Sequence, residues 1–280
     1  MTRGVLIFAQ NNSDIDYTKI AIYSAKQVKK HLNVSVTLVT ENREYLFENY
    51  ADDATVFDNI IDVASEFSQK KQFNDGSVSS KLLHWKNFSR SDCYDISPYD
   101  ETLVIDADFI VNSNNLDKVW NNDSDFAIYK DSYDLAQWRD TSAFEYLNQY
   151  SIPFYWATVF YFKKTPVTAA FFKFIQHIRA NWTYYKLLYS IDTKAFRNDF
   201  AFSIAIHLFS GSSNLSFARH LPGKLYYTLD KDLLESVKDT AMQFLVEKQQ
   251  KHGEYTLVKT NKLDVHVMNK YSLSRYINEQ

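Results

Sequence analysis

Two aspartates, Asp106 and Asp108, interrupt the apolar run Leu103-Val104-Ile105-Asp106-Ala107-Asp108-Phe109-Ile110-Val111. The run predicts a buried strand, and Ser97-Pro98-Tyr99-Asp100-Glu101 supplies a turn before it. Side chains two residues apart on a strand share a face. The two carboxylates therefore repel each other unless a proton or a cation intervenes. A divalent metal with oxygen ligands is the natural partner. A solvated strand end carrying two surface acids is the alternative. An open α/β sheet places its ligands at such strand ends.

The surrounding elements fit that placement. Val5 to Ala9 reads as a first buried strand, followed by the polar loop Gln10-Asn11-Asn12-Ser13-Asp14. Tyr17 to Leu32 carries Ile20, Ala21, Ser24, Val28 and Leu32 at helical spacing. Val34 to Thr40 is a second strand, which completes a β-α-β unit with a right-handed crossover. A weaker helix, 42–50, and a third strand, 56–63, follow. The alternation argues for an α/β fold with a mostly parallel sheet flanked by helices.

Residues 66–78, with Lys70 and Lys71, read as a loop over the site, and 79–94 as a helix. Beyond the acidic pair, strands are expected at 126–129 and 155–162. Helices are expected at 116–120, 168–189 and 199–209, with 130–150 as an acceptor-side segment. A long helix is expected at about 230–251, and then a hairpin pairing 255–258 with 264–268. Nothing reads as a linker. The expectation is one domain over 1–280, with a nucleotide-binding half, 1–111, and an acceptor-side half with a C-terminal extension, 112–280.

The bulk numbers narrow the class. A formal charge of −3 gives no global attraction to nucleic acid or membrane. A single cysteine, Cys93, excludes an internal disulfide framework. No apolar run approaches the roughly 20 residues that span a bilayer. No secretory leader is recognisable, so a cytoplasmic location is expected.

In order and spacing the chain resembles glycosyltransferase family 8, the glycogenin-like group of GT-A enzymes. The strand, loop and helix of Leu6 to His31 match its start, and Phe57-Asp58-Asn59-Ile60-Ile61 its third strand. Arg90 stands where the family usually has Lys. The block Tyr99 to Val111 carries its Asp-Ala-Asp, and Val265-His266-Val267 with Lys270 its late His and Lys. The resemblance implies a metal-dependent enzyme that moves a sugar from a nucleotide-sugar donor. Asp106, Asp108 and His266 would hold Mn²⁺ or Mg²⁺, a donor set chemically suited to such an ion. Asp106, Ala107, Arg90 and Lys270 would lie on the donor side, and Gln10, Asn11 and Asn12 would meet base and ribose.

There are departures. Trp156-Ala157-Thr158-Val159-Phe160 replaces the family's Asn-Ser-Gly-hydrophobic strand, and Asn198-Asp199-Phe200 its Asp-Gln pair. Sugar, acceptor and anomeric outcome stay open. Asp199 is the best candidate for an acceptor-side carboxylate, with helix capping as its alternative. From Tyr146 to Ile191 there is no acidic residue, while Lys163, Lys164, Lys173, Arg179 and Lys186 alternate with aromatics. Such a tract binds nucleic-acid strands in other proteins, so a hydroxylated DNA base joins saccharides and proteins as an acceptor class. A bacterial-virus transferase fits this composition. Burial of the aromatics in the core is the plainer reading. A nucleotidyltransferase on the same metal site and a non-catalytic nucleotide-sugar-binding module are the competing functions.

Overall fold

The computed structural model describes residues 1–64, 68–86, 88–148, 151–193, 195–211, 216–249 and 251–279. Positions 66–67, 87, 149–150 and 250, which fall within expected segments, lie outside the described residues.

A seven-stranded sheet runs through the middle, in the order Arg219–His220, Phe126–Tyr129, Trp156–Lys163, Glu101–Asp106, Arg3–Phe8, Ser35–Thr40 and Asn59–Asp62. Trp156–Lys163 runs antiparallel to both of its neighbours, and every other pairing is parallel. Each central strand is apolar on both faces because helices cover both sides. Val5, Ile7, Leu103 and Ile105 face the helix Tyr17–Leu32 and the C-terminal region. Leu6, Val104 and Phe160 face the helices Pro166–Ala180 and Asn198–Ser210.

The helix Tyr17–Leu32 begins where Asp16 accepts from the Lys19 amide at 3.0 Å, and it ends at Asn33 in the left-handed conformation. The apolar positions expected to face inward, Ile20, Ala21, Val28 and Leu32, are all buried. Gly4 is required for packing, because a Cβ there would lie 2.2–2.6 Å from the Tyr99 ring. The Tyr99 hydroxyl in turn bonds Thr37 Oγ1 at 2.7 Å, which ties the first two strands to the turn before Glu101.

Several expected elements take another form. The strand through the acidic pair is not continuous. It stops at Asp106, and after a turn Phe109–Ile110 joins a second sheet with Val265–Val267, Leu225–Thr228 and Ser132–Asp134. The two acids are brought together by that turn and not by strand alternation. The loop expected at 66–78 and the first half of the helix expected at 79–94 form the hairpin Gln69–Asp75/Ser79–Trp85. Asp75-Gly76 is a hairpin signal, and Gly76 takes φ +70. The helix at about 230–251 is instead the strands Leu233–Lys238 and Ala241–Glu247. Met242, Phe244 and Val246 are buried in alternation, the period of a strand. Tyr255–Asn261 pairs with Ala241–Glu247 and not with the segment around His266. The helix expected at 168–189 is two, Pro166–Ala180 and Trp182–Leu188. Among the described residues no helix is long and apolar enough to cross a membrane.

Candidate active site

The sheet's carboxyl end opens into a cavity of about 490 Å³, within the size range of small-molecule sites. Asp106 closes the strand Glu101–Asp106, paired to Phe8 of the first strand. Asp108 follows after the turn. His266 sits on the three-residue strand Val265–Val267, opposite Phe109. Two clamps fix that strand. The Val267 amide donates to the Asp108 carbonyl at 2.9 Å. Asp264 accepts from the Asn112 amide at 2.7 Å and from Ser113 Oγ at 3.0 Å, and burial pushes its carboxyl up to about 6. One ligand atom each of Asp106, Asp108 and His266 fall within 4.8 Å of one another.

Each acid also has its own cation. Arg90 forms an ion pair with Asp106, and Lys270 Nζ lies 2.5 Å from Asp108 Oδ2. Burial pushes the Asp108 carboxyl up, but Lys270 and His266 outweigh it and hold it well below the usual carboxylate range. Lys270 is the first residue of the final helix, Lys270–Asn278, whose cap Asn269 accepts from the Ser272 amide at 2.9 Å. The donor set fits a divalent ion. It offers two carboxylates and an imidazole, and the buried Nδ1 of His266 has no hydrogen-bond partner among the described residues.

The Ala157 peptide links the centre to the far wall. Arg90 Nη1 donates to the Ala157 carbonyl at 2.9 Å, and the Ala157 amide donates to Asp199 Oδ1 at 2.9 Å. The other Asp199 oxygen accepts from Arg197 at 2.7 Å. Asp199 lies in the first turn of Asn198–Ser210, the capping position is Arg197, and no side chain caps this helix end. The capping alternative for Asp199 therefore fails.

The loop after the first strand divides its roles. Gln10 lines the cavity; its Oε1 accepts from the Glu41 amide at 2.8 Å, and its buried Nε2 has no partner among the described residues. Asn11 and Asn12 do not line the cavity. Asn11 Oδ1 accepts from the Thr18 amide and hydroxyl, and Asn12 Oδ1 from the amides of Asp14 and Ile15. The Tyr17 hydroxyl, a further lining group, is also enclosed without a hydrogen-bond partner among the described residues. Enclosed polar groups left unbonded are costly unless a ligand or water meets them.

The segment with Lys70 and Lys71 does lie over the site as expected, but as a hairpin and not a loop. Lys71 stands in the cleft with its ammonium 4.7 Å from the Trp85 ring centre and 5.5 Å from that of Phe73. Solvent reaches it, yet burial among the cleft walls and the neighbouring Lys270 and Arg197 bring its amine down to about 8. The hairpin is held at both ends. Arg275 makes two bonds to Asp75 at 2.7 and 2.8 Å, and Gln69 exchanges side-chain bonds with the Phe196 backbone. The Asp-Gly pair was the available signal. Among the described residues, six cations (Lys70, Lys71, Lys86, Arg90, Arg197, Lys270) and four carboxylates line the cavity, a formal +2 with histidines neutral.

The basic-aromatic tract is largely spent inside the fold. Phe171, Phe172, Ile175 and Ile178 are core. Arg179 pairs with Asp92 at 2.8 Å, while Lys163 and Lys164 donate to the carbonyls of Asn122 and Ser97.

No protein-family profile and no curated protein match the chain. Solved structures similar to it include the galactosyltransferase LgtC in complex with donor and acceptor sugar analogs, at 16% identity and a TM-score of 0.45, over 72% of this chain and 70% of that one. The apo-form glycosyltransferase GlyE of Streptococcus pneumoniae TIGR4 matches at 12% identity and a TM-score of 0.44, over 79% of this chain and 45% of that one. The bifunctional IspDF from Campylobacter jejuni matches at 12% identity and 0.41, over 80% and 50%. The chain spans about half the length of the last two. At these scores the reading of the cleft rests on its own residues.

Proposed function

We propose that the chain is a metal-dependent glycosyltransferase that moves a sugar from a nucleotide-diphosphate donor to a hydroxyl acceptor. The observation that carries this reading is the meeting of Asp106, Asp108 and His266 within one small volume, in a cleft whose lining is formally positive. Asp106, Asp108 and His266 would hold Mn²⁺ or Mg²⁺, which supplies Lewis-acid stabilisation of the departing diphosphate. In the transfer, the bond between the sugar's anomeric carbon and the β-phosphate oxygen breaks, and its electron pair leaves with the diphosphate. The acceptor oxygen bonds that carbon, and its proton passes to the diphosphate or to solvent.

The chain's own groups share the remaining work. Lys270, Lys71 and Arg90 offset the negative charge of the diphosphate. Asp199, held by the Ala157 amide and Arg197, presents a fixed carboxylate that orients sugar or acceptor hydroxyls. Gln10 and Tyr17 offer donor groups to the nucleoside and phosphate end.

A nucleotidyltransferase is the second reading, but the loop Gln10 to Ser13 holds neither the glycines nor the cations of a triphosphate-cradling loop. The deciding experiment is Mn²⁺-dependent hydrolysis of UDP-, GDP- and CDP-sugars. Release of free sugar supports the transferase. Binding without turnover points to the binding module, and pyrophosphate release from nucleoside triphosphates to the nucleotidyltransferase.

A further inference from the structure

A second cavity, also about 490 Å³, lies on the other side of Phe144, a residue that lines both spaces. The Phe144 ring is wedged against Trp156, Tyr227 and Phe154, with centroids 4.8, 5.4 and 6.0 Å away. The ring therefore stands at the boundary that the two spaces share.

The lining combines ring faces with hydrogen-bonding groups. Tyr133 and Tyr146 leave 40% and 51% of their surface in water. Tyr133 packs on Tyr226 at 5.7 Å and carries the Lys224 ammonium 4.4 Å from its ring centre, while the Tyr146 backbone forms a β-bridge with Pro153. Beside them stand Asp131, Gln137 and Glu145, whose side chains make no hydrogen bond or ion pair among the described residues. The floor is committed elsewhere: Arg139 bonds both Asp134 and Asp232. Among the described residues, three carboxylates and two cations line this cavity, and the Lys224 ammonium over Tyr133 brings the formal charge to zero.

That combination selects among ligands. The C–H face of a pyranose stacks on an exposed aromatic ring, and its hydroxyls donate to carboxylate and amide oxygens. A phosphodiester strand would find no net positive charge here to neutralise its own. Ring faces already fixed in position reduce the entropy lost on binding.

We propose that the second cavity is a docking site for a neutral oligosaccharide, whose terminal hydroxyl reaches past Phe144 into the metal cleft. This rests on the transferase reading and narrows its acceptor to a saccharide.

The test separates the two claims. Lactose, maltotriose, cellotriose and chitotriose are titrated into the full chain by calorimetry and saturation-transfer NMR, without metal or nucleotide. At least one binds. Its affinity falls about tenfold or more in Tyr146→Ala, about 1.4 kcal/mol, is retained in Tyr146→Trp, and weakens in Glu145→Gln. Mn²⁺-dependent hydrolysis of the donor is unchanged in these variants. The proposal is overturned if none of the four saccharides binds, if the variants bind like wild type, or if a short oligonucleotide displaces the bound sugar. Saccharide binding without donor hydrolysis would instead remove the transferase reading and leave the docking site standing.

Discussion

His266 and Asp108 stand 158 residues apart in the chain, yet His266 Nε2 lies 3.2 Å from Asp108 Oδ2. Both are nearly enclosed, with side-chain exposures of 9% and 7%. The contact exists because Phe109–Ile110 leaves the central sheet directly after the acidic turn and pairs with Val265–Val267. The backbone bond from the Val267 amide to Asp108 does not depend on the imidazole. His266→Ala should therefore fold and keep the strand pairing. It should lose at least the roughly 10–100-fold in metal affinity that removal of an outer-shell partner costs. Isothermal titration with Mn²⁺ alongside far-UV circular dichroism checks both halves.

Lys71 makes anion binding sensitive to pH. Its amine is brought down to about 8 by burial and by Lys270 and Arg197. Below that value it carries a charge for the diphosphate. Above it, binding must first take up a proton. Diphosphate affinity should thus hold between pH 6 and 7.5 and fall by up to roughly tenfold per unit above 8. Asp108 and Asp230 also face this amine and act in the opposite direction, favouring its charged form. In Lys71→Arg the decline should vanish, because guanidinium stays charged. In Lys71→Met affinity should be low at every pH. Fluorescence titration of a nucleoside diphosphate from pH 6 to 9.5 distinguishes the three proteins.

Asp199 should affect transfer more than binding. Its two oxygens are held by the Ala157 amide and by Arg197, on the far side of the Ala157 peptide from Arg90. In Asp199→Asn the side-chain oxygen can still accept from Ala157, so the wall remains in place. The charge that orients hydroxyls is lost. We expect kcat to fall by about 10²-fold, the scale set by small losses of positioning. The Kd for metal and nucleoside diphosphate should stay near wild type. Steady-state kinetics and titration on one preparation check the split.

The local sequence carried the central sheet but not the architecture around it. Apolar strands such as Leu103–Ile105 and a helix with Ile20, Ala21, Val28 and Leu32 on one face follow from short-range periodicity. The C-terminal region does not. Ala241–Glu247 alternates buried and open positions, and its long polar residues also suit a helix, so tertiary pairing decided the outcome. The hairpin Gln69–Asp75/Ser79–Trp85 turned on Asp75-Gly76, a two-residue signal inside an otherwise polar stretch. At the site, the nearness of Asp106 to Asp108 was visible in the sequence, although its cause is a turn. The placement of Lys70 and Lys71 over the site was legible, but the arrival of Arg197 and Tyr17 in the same cleft was not, because it depends on where whole elements dock. Asn11 and Asn12 looked as available as Gln10. Only the coordinates show their oxygens engaged by Thr18, Asp14 and Ile15.

The charge balance at the centre leads to the most direct measurement. Arg90 and Lys270 already neutralise Asp106 and Asp108, so a divalent ion alone brings surplus positive charge. A nucleoside diphosphate removes that surplus. Each should therefore strengthen the other's binding by the same factor, about tenfold or more. Mn²⁺ electron paramagnetic resonance titrations, with and without UDP, GDP or CDP, test this on wild type and Asp108→Asn. Wild type should take up the ion, at least one of these nucleotides should tighten the uptake, and Asp108→Asn should lose both effects. Equal uptake by Asp108→Asn and wild type, or no uptake by wild type with any of the three nucleotides, would contradict the proposed metal site.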